Sequence, residues 1–310
     1  MKRCPITYEV ISDQEYYSQH GLKLLSPRLT NLKSLALSAA EQRMEAVAHA
    51  DKMSIQGVQP KFSAQLKVTE GRFEIVNQQG QFILKPQHEY YPELPENEAI
   101  TMSLAASIGI EVPVHGLVYS KDNSMTYFIK RFDRRGRNNK LAVEDFAQLS
   151  QSSRDTKYNS SMEKVAKIVV DFCSFPKIEA VKLLKLTLFN FLIGNEDMHL
   201  KNFSLITRGE KITLSPAYDL LNTTIAQQNA KEELALSLNG KKSNLKARDI
   251  LDYYAIQQLK LNQTIISGVV DEIQKILPNW KIAIRNSFLS KLMQEKYLLL
   301  LDERCLRLEW

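Results

Sequence analysis

The spacing of apolar residues changes along this chain, and that change limits the fold more than any other feature of the sequence. Between Lys61 and Gln87 apolar and polar residues alternate, with Gly71 and Gly80 as breaks, which predicts three short antiparallel strands. From about Ala142 onward the apolar residues recur at helical spacing. The sequence therefore predicts an α+β fold with a small, β-rich N-terminal lobe and a larger α-helical C-terminal lobe.

Local signals predict the individual elements. A capping box at Ser38–Glu41 predicts a helix that ends near Ala50. Helical spacing predicts another helix over Glu96–Ile108, and two strand-like runs follow it at Val112–Tyr119 and Met125–Phe132. The helices predicted in the second half of the chain are Met162–Phe172, Ile178–Ile193, which is apolar on nearly all sides, Ala247–Leu259, Thr264–Leu277 and Ile284–Leu301.

Length and composition agree with two lobes in one soluble chain. The 310 residues exceed the roughly 250–300 at which a single hydrophobic core stops growing. The change of period divides them into an N-terminal lobe over residues 1–135 and a C-terminal lobe over residues 136–310. Charged residues form 25% of the chain and apolar residues 44%, a composition that excludes disorder, collagen and coiled coil.

The cysteine and hydropathy patterns predict a cytoplasmic protein. Cys4, Cys173 and Cys305 fit neither a disulfide framework nor a zinc site. No apolar run approaches the ~20 residues of a membrane span, and the N-terminus lacks the apolar segment of a signal peptide, so we expect neither membrane contact nor secretion. The formal net charge of +6 suits a phosphate-rich ligand, nucleic acid or an acidic protein surface, and does not choose among them.

Two polar segments interrupt the helical half, at Gly194–Asn202 and Ser215–Asn222. In the first, Asp197 is followed five positions later by Asn202, a pair that a phosphoryl-transfer site can use as hydroxyl-orienting base and metal ligand. In the second, the carboxylate of Asp219 could hold Mg²⁺ together with Asn202, because Mg²⁺ takes oxygen ligands from a few protein groups and from phosphates.

A lysine upstream completes a recognisable order of features. Lys85 ends the third predicted strand, where its side chain can reach phosphates that lie over the sheet. Each such residue, taken alone, is more often a turn former, a helix cap or a solvated surface group. Their order, with a β lobe, a strand lysine, a helix that carries Glu98, a buried helix and then the two polar segments, is typical of a bilobal protein kinase.

With these motifs in place, the sequence resembles the HipA-like serine/threonine kinases of bacterial toxin–antitoxin systems. The resemblance runs in family order from about residue 50 to 245. Its matching stretches are Ser54–Lys61, Phe82–Lys85, Glu96–Glu98, Arg131–Arg134, Lys157–Tyr158, Asp197–Ser204, Pro216–Asp219 and Leu236–Lys241. It implies a bilobal protein-kinase-like fold and the use of ATP and Mg²⁺.

The resemblance also implies residue roles. Asp197 resembles the catalytic base, with Lys201 as a second catalytic residue, and Asn202 and Asp219 resemble the Mg²⁺ ligands. Glu98 is similar to the helix glutamate that pairs with the strand lysine. Ser54 is similar to a serine that the family autophosphorylates. The implied ATP-binding residues are Gln56, Gly57, Val58, Gln59, Pro60 and Lys61 in the phosphate loop, Lys85 on the third strand, Lys130, Arg131 and Phe132 at the hinge, and His199, Leu200, Lys201, Asn202, Tyr218 and Asp219 in the two polar segments.

The sequence departs from the family pattern in two ways, one in the phosphate loop and one that bears on partners. The phosphate loop holds only Gly57, so the glycine set of eukaryotic kinases is absent. About fifty residues precede Ser54, which resembles the short HipT branch, where a separate small protein stands in for a missing N-terminal subdomain. The resemblance further implies a DNA-binding antitoxin as partner, with any DNA contact indirect, and an aminoacyl-tRNA synthetase as protein substrate.

Two other function classes remain open at this point. One is a nucleotide-binding regulatory protein with weak or no transfer activity. The other is a nucleic-acid-binding module, suggested by the pI of about 9.0 and by the basic run over residues 130–137. No zinc finger, helix-turn-helix or aromatic RNA-binding motif accompanies that run.

Overall fold

The computed structural model describes residues 1–48, 59–136, 139–151, 157–227 and 232–310. The chain divides into two units, each built from several stretches. Unit 1 comprises Met1–Ile100, Pro113–Asn139 and Asn286–Ser290, and unit 2 comprises Thr101–Val112, Lys140–Arg285 and Lys291–Trp310. The lobe boundary placed at residues 135 and 136 stays a prediction.

Unit 1 is built on a five-stranded antiparallel sheet with the strand order β2-β1-β3-β5-β4. The strands are β1 Phe62–Lys67, β2 Arg72–Ile75, β3 Phe82–Lys85, β4 His115–Tyr119 and β5 Met125–Lys130. Phe73, Phe82 and Phe128 are buried on one face, with ring centroids 5.1 to 6.3 Å apart. Because side chains alternate along a strand, the period of two in the sequence predicted this buried face.

Helices flank this sheet in the sequence. Helix α1 covers Gln19–Leu25 and α2 covers Ala39–Ala48. The predicted capping box starts α2: the Ser38 N–H donates to Glu41 Oε2 at 2.7 Å and the Glu41 N–H donates to Ser38 Oγ at 3.2 Å. Helix α3, Leu94–Ser107, begins in unit 1 and continues into unit 2.

Unit 2 is mainly helical. Its helices are α4 Phe146–Leu149, α5 Met162–Phe172, α6 Pro176–Ile193, α7 Thr223–Ala226, α8 Gln263–Arg285 and α9 Lys291–Arg307. Strands β8 Val143–Asp145, β9 Ser204–Arg208 and β10 Lys211–Leu214 form an antiparallel sheet in the order β10-β9-β8, and the two-residue strands β6 and β7 are Arg134–Arg135 and Asn139–Lys140. Helix α6 is buried over most of its length, as its uniformly apolar sequence predicted.

Three helix predictions differ from the structure. The helix predicted over Thr264–Leu277 continues to Arg285 as α8, with Pro278 inside it. The segment Asp249–Gln258 is a helix of π type. The helix predicted over Ile284–Leu301 is wrong at its start, because the chain leaves helical conformation after Arg285 and resumes it at Lys291. Ser287 Oγ accepts the Leu289 N–H at 3.4 Å, which illustrates how a short polar side chain competes with the helix for backbone groups.

Among the helices of the described residues, none has the length and apolar character that crossing a membrane requires.

Candidate active site

The polar segment after α6 begins with a glycine that the backbone requires. Gly194 ends the helix in the left-handed region, with φ of 69°. A Cβ at this position would lie 2.4 Å from Leu300 Cδ2 and 2.7 Å from Thr224 Oγ1. The Gly194 C=O accepts hydrogen bonds from the hydroxyls of Thr223 and Thr224, at 3.1 and 3.0 Å. The chain therefore leaves the buried helix at a fixed angle into the segment that carries Asp197.

Backbone and side-chain hydrogen bonds hold Asp197 in place. Its N–H donates to Asn195 Oδ1 at 3.2 Å, and its C=O accepts from the His199 N–H at 2.8 Å and from Asn202 Nδ2 at 2.9 Å. The side chain is 45% exposed, so another molecule can reach its carboxylate. Oδ1 accepts a hydrogen bond from the Tyr158 hydroxyl.

Asn202 and Asp219 supply two oxygen donors in the same unit. Asn202 is buried at the end of the 3₁₀ turn Leu200–Asn202 and donates through Nδ2, which leaves its amide oxygen Oδ1 as the group suited to a cation. Asp219 is half-buried and adopts φ of 54°, a left-handed conformation that costs a non-glycine residue of order 1 kcal/mol. Such strain is typical of functional sites.

Tyr218 joins the two polar segments. Its hydroxyl donates to the Lys201 C=O at 2.9 Å and lies 2.5 Å from Ser204 Oγ. Burial raises the pKa of this phenol, so it stays protonated at neutral pH. The structure thus brings Tyr218 and Lys201, both assigned to the nucleotide pocket from sequence, into direct contact through the lysine's backbone.

His199 is the centre of a contact group that the sequence did not reveal. Its Nε2 lies 2.6 Å from Lys157 Nζ and 4.0 Å from Asp197 Oδ1, and its ring meets the Tyr158 ring edge-on at 5.0 Å. Burial lowers the pKa of His199, the Asp197 carboxylate opposes that shift and the Lys157 ammonium adds to it. Its buried Nδ1 has no hydrogen-bond partner among the described residues.

In unit 1 the structure pairs Lys85 with Glu98. Nζ of Lys85 lies 2.7 and 2.8 Å from the two carboxylate oxygens of Glu98, and both side chains are buried. The pair joins the end of β3 to α3, which the distance of thirteen residues in the sequence does not by itself predict. Lys85 Nζ also lies 5.6 Å from the Tyr127 ring centroid, within cation–π range.

The segment assigned to the hinge lies at the end of β5. The Lys130 N–H donates to the Val114 C=O at 2.7 Å and the Arg131 N–H donates to the Gln81 C=O at 2.8 Å. Contacts from adenine to these two amides would break existing hydrogen bonds, so the two amides are not available as edge donors in this structure. The Arg131 guanidinium donates twice to Asp133, at 3.0 and 2.8 Å.

This ion pair also bears on the basic run over residues 130–137. Asp133 lies 3.4 Å from the Arg134 guanidinium as well, so one carboxylate compensates two of its arginines. The nucleic-acid alternative loses support from this arrangement.

The phosphate loop is described only in part. Gln59, Pro60 and Lys61 precede β1 and are half-buried. Ser54, Gln56, Gly57 and Val58 lie outside the described residues.

A cavity of about 350 Å³ opens elsewhere in unit 2. Gly109–Glu111, helix α6 and Leu214–Ala217 line it, and Asn202 is the one residue of the candidate nucleotide set that takes part. The cavity therefore shares only Asn202 with the candidate nucleotide residues.

Comparison with known proteins gives concordant matches. The family model "HipA-like C-terminal domain" matches residues 53–280. A "putative kinase" of Haemophilus influenzae is 28% identical over 289 residues, which cover 84% of this chain and 81% of that protein. The "serine/threonine-protein kinase toxin HipA" of Shewanella oneidensis is 27% identical over 207 residues, 61% of this chain and 47% of that protein.

A solved structure shows the same fold. HipA of Shewanella oneidensis, in a complex with HipB and its operator DNA, superposes with a TM-score of 0.69 over 90% of this chain and 72% of that one, at 21% sequence identity. The α+β, kinase-like fold expected from the sequence is thereby confirmed.

Proposed function

Because this chain belongs to the HipA-like C-terminal domain family, we propose that it is an ATP- and Mg²⁺-dependent protein serine/threonine kinase that acts as the toxin of a bacterial toxin–antitoxin system. The chain spans 81% of the length of the Haemophilus relative and 47% of the length of the Shewanella toxin. The proposal therefore rests on the region that this chain shares with them.

One observation carries this proposal. The 2.9 Å hydrogen bond from Asn202 Nδ2 to the Asp197 C=O holds a reachable carboxylate and an amide oxygen in one segment. A phosphoryl-transfer enzyme needs this combination, because it works by positioning the acceptor hydroxyl and compensating negative charge rather than by covalent chemistry.

The donor set fits the implied cofactors. Asn202 and Asp219 offer the hard oxygen donors that Mg²⁺ prefers, and the orphaned His199 Nδ1 is a buried polar atom that a bound nucleotide could satisfy. When bound, Mg²⁺ and ATP supply charge compensation and the phosphoryl group, respectively.

The chain's own residues would then act as follows. Asp197 accepts the proton of the substrate hydroxyl, Asn202 and Asp219 hold the metal ion, and Glu98 orients Lys85 towards phosphate oxygens. Tyr218 keeps the two polar segments together through Lys201. In this scheme Leu200, Lys201 and His199 line the nucleotide, and Gln56–Lys61 cover its phosphates.

The proposed partners follow from the relatives. We infer a DNA-binding antitoxin as a partner, since the matched HipA structure contains HipB and its operator DNA. Any contact of this chain with DNA would then be indirect, through that antitoxin. An aminoacyl-tRNA synthetase as substrate, a cytoplasmic location and autophosphorylation at Ser54 complete the proposal.

Incubation of the purified chain with labelled ATP, Mg²⁺ and a bacterial lysate tests this function. We expect a labelled substrate band, its loss with Asp197→Ala, and its retention with Asp271→Ala, which removes an exposed carboxylate on α8. Peptide mass spectrometry of the same samples should find phosphate on Ser54 in the wild type and none on Ser54 in Asp197→Ala. ATP binding without any transfer would instead favour the regulatory protein.

A further inference from the structure

Lys157 is connected to the candidate catalytic base Asp197 through two neighbouring side chains, those of His199 and Tyr158. Its Nζ lies 2.6 Å from His199 Nε2, which is itself 4.0 Å from Asp197 Oδ1. Nζ also lies 4.8 Å from the centroid of the Tyr158 ring, whose hydroxyl donates to that same carboxylate oxygen. His199 and Tyr158 together therefore hold the Lys157 ammonium near the Asp197 carboxylate.

The contact with His199 defines which group carries the charge. A lysine ammonium has only donors, so a contact of 2.6 Å requires Nε2 to be the acceptor. The imidazole is then neutral, with its proton on Nδ1, and the positive charge resides on Lys157. Burial of the ring is consistent with this neutral form.

A cation at this place, besides Mg²⁺ and Lys85, would assist the chemistry proposed for this segment. Asp197 and Asp219 are both carboxylates, while the transferring phosphoryl group is itself anionic. Preorganised positive charge at the point where negative charge develops is worth about 10²–10³-fold in kcat for a single donor. Lys201 shares the segment, and its backbone C=O accepts a hydrogen bond from the Tyr218 hydroxyl.

We propose that Lys157 is a further catalytic residue, whose ammonium contacts the transferring phosphoryl group while His199 positions it. This inference rests on the proposed kinase activity. In the step, the substrate hydroxyl oxygen forms a bond to the γ-phosphorus, the bond from that phosphorus to the bridging oxygen of ADP breaks, and the hydroxyl proton passes to Asp197. Lys157 keeps its protons throughout.

Three substitutions separate a charge role from a structural one. Lys157→Met removes both the charge and the hydrogen bond to His199. Lys157→Gln removes the charge but keeps a hydrogen-bond donor, on a side chain one bond shorter, and Lys157→Arg keeps the charge. Lys164→Met is the matched control, because Lys164 is an exposed lysine on α5 in the same unit.

The first readout is the single-turnover rate of phosphoryl transfer from labelled ATP to protein in a bacterial lysate. The second is the Kd of ATP and of ADP, each measured by calorimetry in the presence of Mg²⁺. We expect Lys157→Met and Lys157→Gln each to lower the rate about 10²-fold and to weaken ATP binding while ADP binding stays unchanged. Lys157→Arg should recover most of both losses, and Lys164→Met should match the wild type.

Two results would overturn the proposal. If Lys157→Gln transfers phosphate and binds ATP as the wild type does, Lys157 only supports the His199 ring. If the wild type itself neither binds ATP nor transfers phosphate, the proposed function fails and this inference fails with it. An active wild type with an unaffected Lys157→Gln variant overturns the inference alone.

Discussion

At the scale of single residues, buried charges determine what substitutions do. The Lys85–Glu98 pair is nearly excluded from solvent, whereas Lys130 is exposed at the end of β5. Removing one partner of a buried ion pair leaves the other uncompensated, which typically costs about 3–5 kcal/mol. Loss of either partner alone is therefore expected to destabilise unit 1, apart from any effect on the proposed phosphate contact.

We predict that Lys85→Ala weakens ATP binding more than Lys130→Ala does, and also lowers the free energy of unfolding. Lys130→Ala should leave that free energy unchanged, because its side chain is exposed. Nucleotide titration and urea unfolding of both variants check this. Equal effects on ATP affinity, in samples shown by circular dichroism to be folded, would remove the reason for assigning Lys85 to the phosphates.

Glu96 makes the stability of unit 1 depend on pH. Its carboxylate accepts two hydrogen bonds from Gln87 Nε2, at 2.7 and 2.9 Å, and burial raises its pKa to about 7. The folded state then binds this proton more tightly than the unfolded state. Between about pH 4.5 and pH 7 the free energy of unfolding therefore falls as the pH rises.

We predict that Glu96→Gln flattens this dependence, because the amide cannot ionise. Urea unfolding at pH 5 and pH 8 should show a loss of up to about 3 kcal/mol in the wild type that the variant lacks. Glu89→Gln, at an exposed position in the same unit, is the control. If Glu96→Gln lost as much stability as the wild type between these pH values, Glu96 would not be the group responsible.

At the scale of elements, the end of α6 determines where the candidate base stands. Gly194 combines a left-handed backbone with close packing against Leu300 and Thr224. Gly209 in the turn between β9 and β10 has a similar φ of 65° but no atom within 4 Å of a Cβ at its position. The two glycines therefore separate the cost of the backbone conformation from the cost of the packing.

We predict that Gly194→Ala lowers the Tm and the transfer rate well beyond Gly209→Ala. Both variants should lose about 1–2 kcal/mol from the left-handed conformation. The Cβ contacts of 2.4 and 2.7 Å add a further cost to Gly194→Ala alone and displace the Asp197 segment. Equal Tm losses in the two variants would show that the helix end tolerates the extra carbon.

The elements that the sequence predicted well are those with strong local periodicity. Helix α5 begins and ends at the predicted residues, Met162 and Phe172, and the three strands of residues 61–87 were all found. The break at residues 286–290 was missed, because apolar residues on both sides keep a helical spacing across it. Periodicity records which face is buried and does not show where short polar side chains end a helix.

The sequence supplied the candidate residues, but among their side-chain contacts it led us to expect only the Lys85–Glu98 pair. Spacing brought Asp197 and Asn202 into consideration, and the family resemblance suggested the Lys85–Glu98 pair. The contact between Lys157 and His199 joins residues forty-two positions apart, and nothing in the local pattern of either segment points to it. The Lys157–Tyr158 match to the family was a signal, but it carried no role.

At the scale of the whole molecule, the two units are interleaved in sequence. Unit 1 takes residues from the start of the chain, from Pro113–Asn139 and from Asn286–Ser290, so no single cut separates it from unit 2. The family match over residues 53–280 likewise includes parts of both units. The proposed activity therefore belongs to the chain as a unit, and it has to be tested on the intact protein.

In the proposed function, Asp197 acts as the base and Asp219 holds the metal ion. The most direct test measures phosphoryl transfer and Mg²⁺-dependent ATP binding for Asp197→Ala, Asp219→Ala and the exposed control Asp271→Ala. We predict that both active-site variants remain folded and lose transfer, that Asp219→Ala alone loses Mg²⁺-dependent ATP affinity, and that the control behaves as the wild type. Phosphoryl transfer by Asp197→Ala and Asp219→Ala at near wild-type rates would show that neither residue has its proposed role.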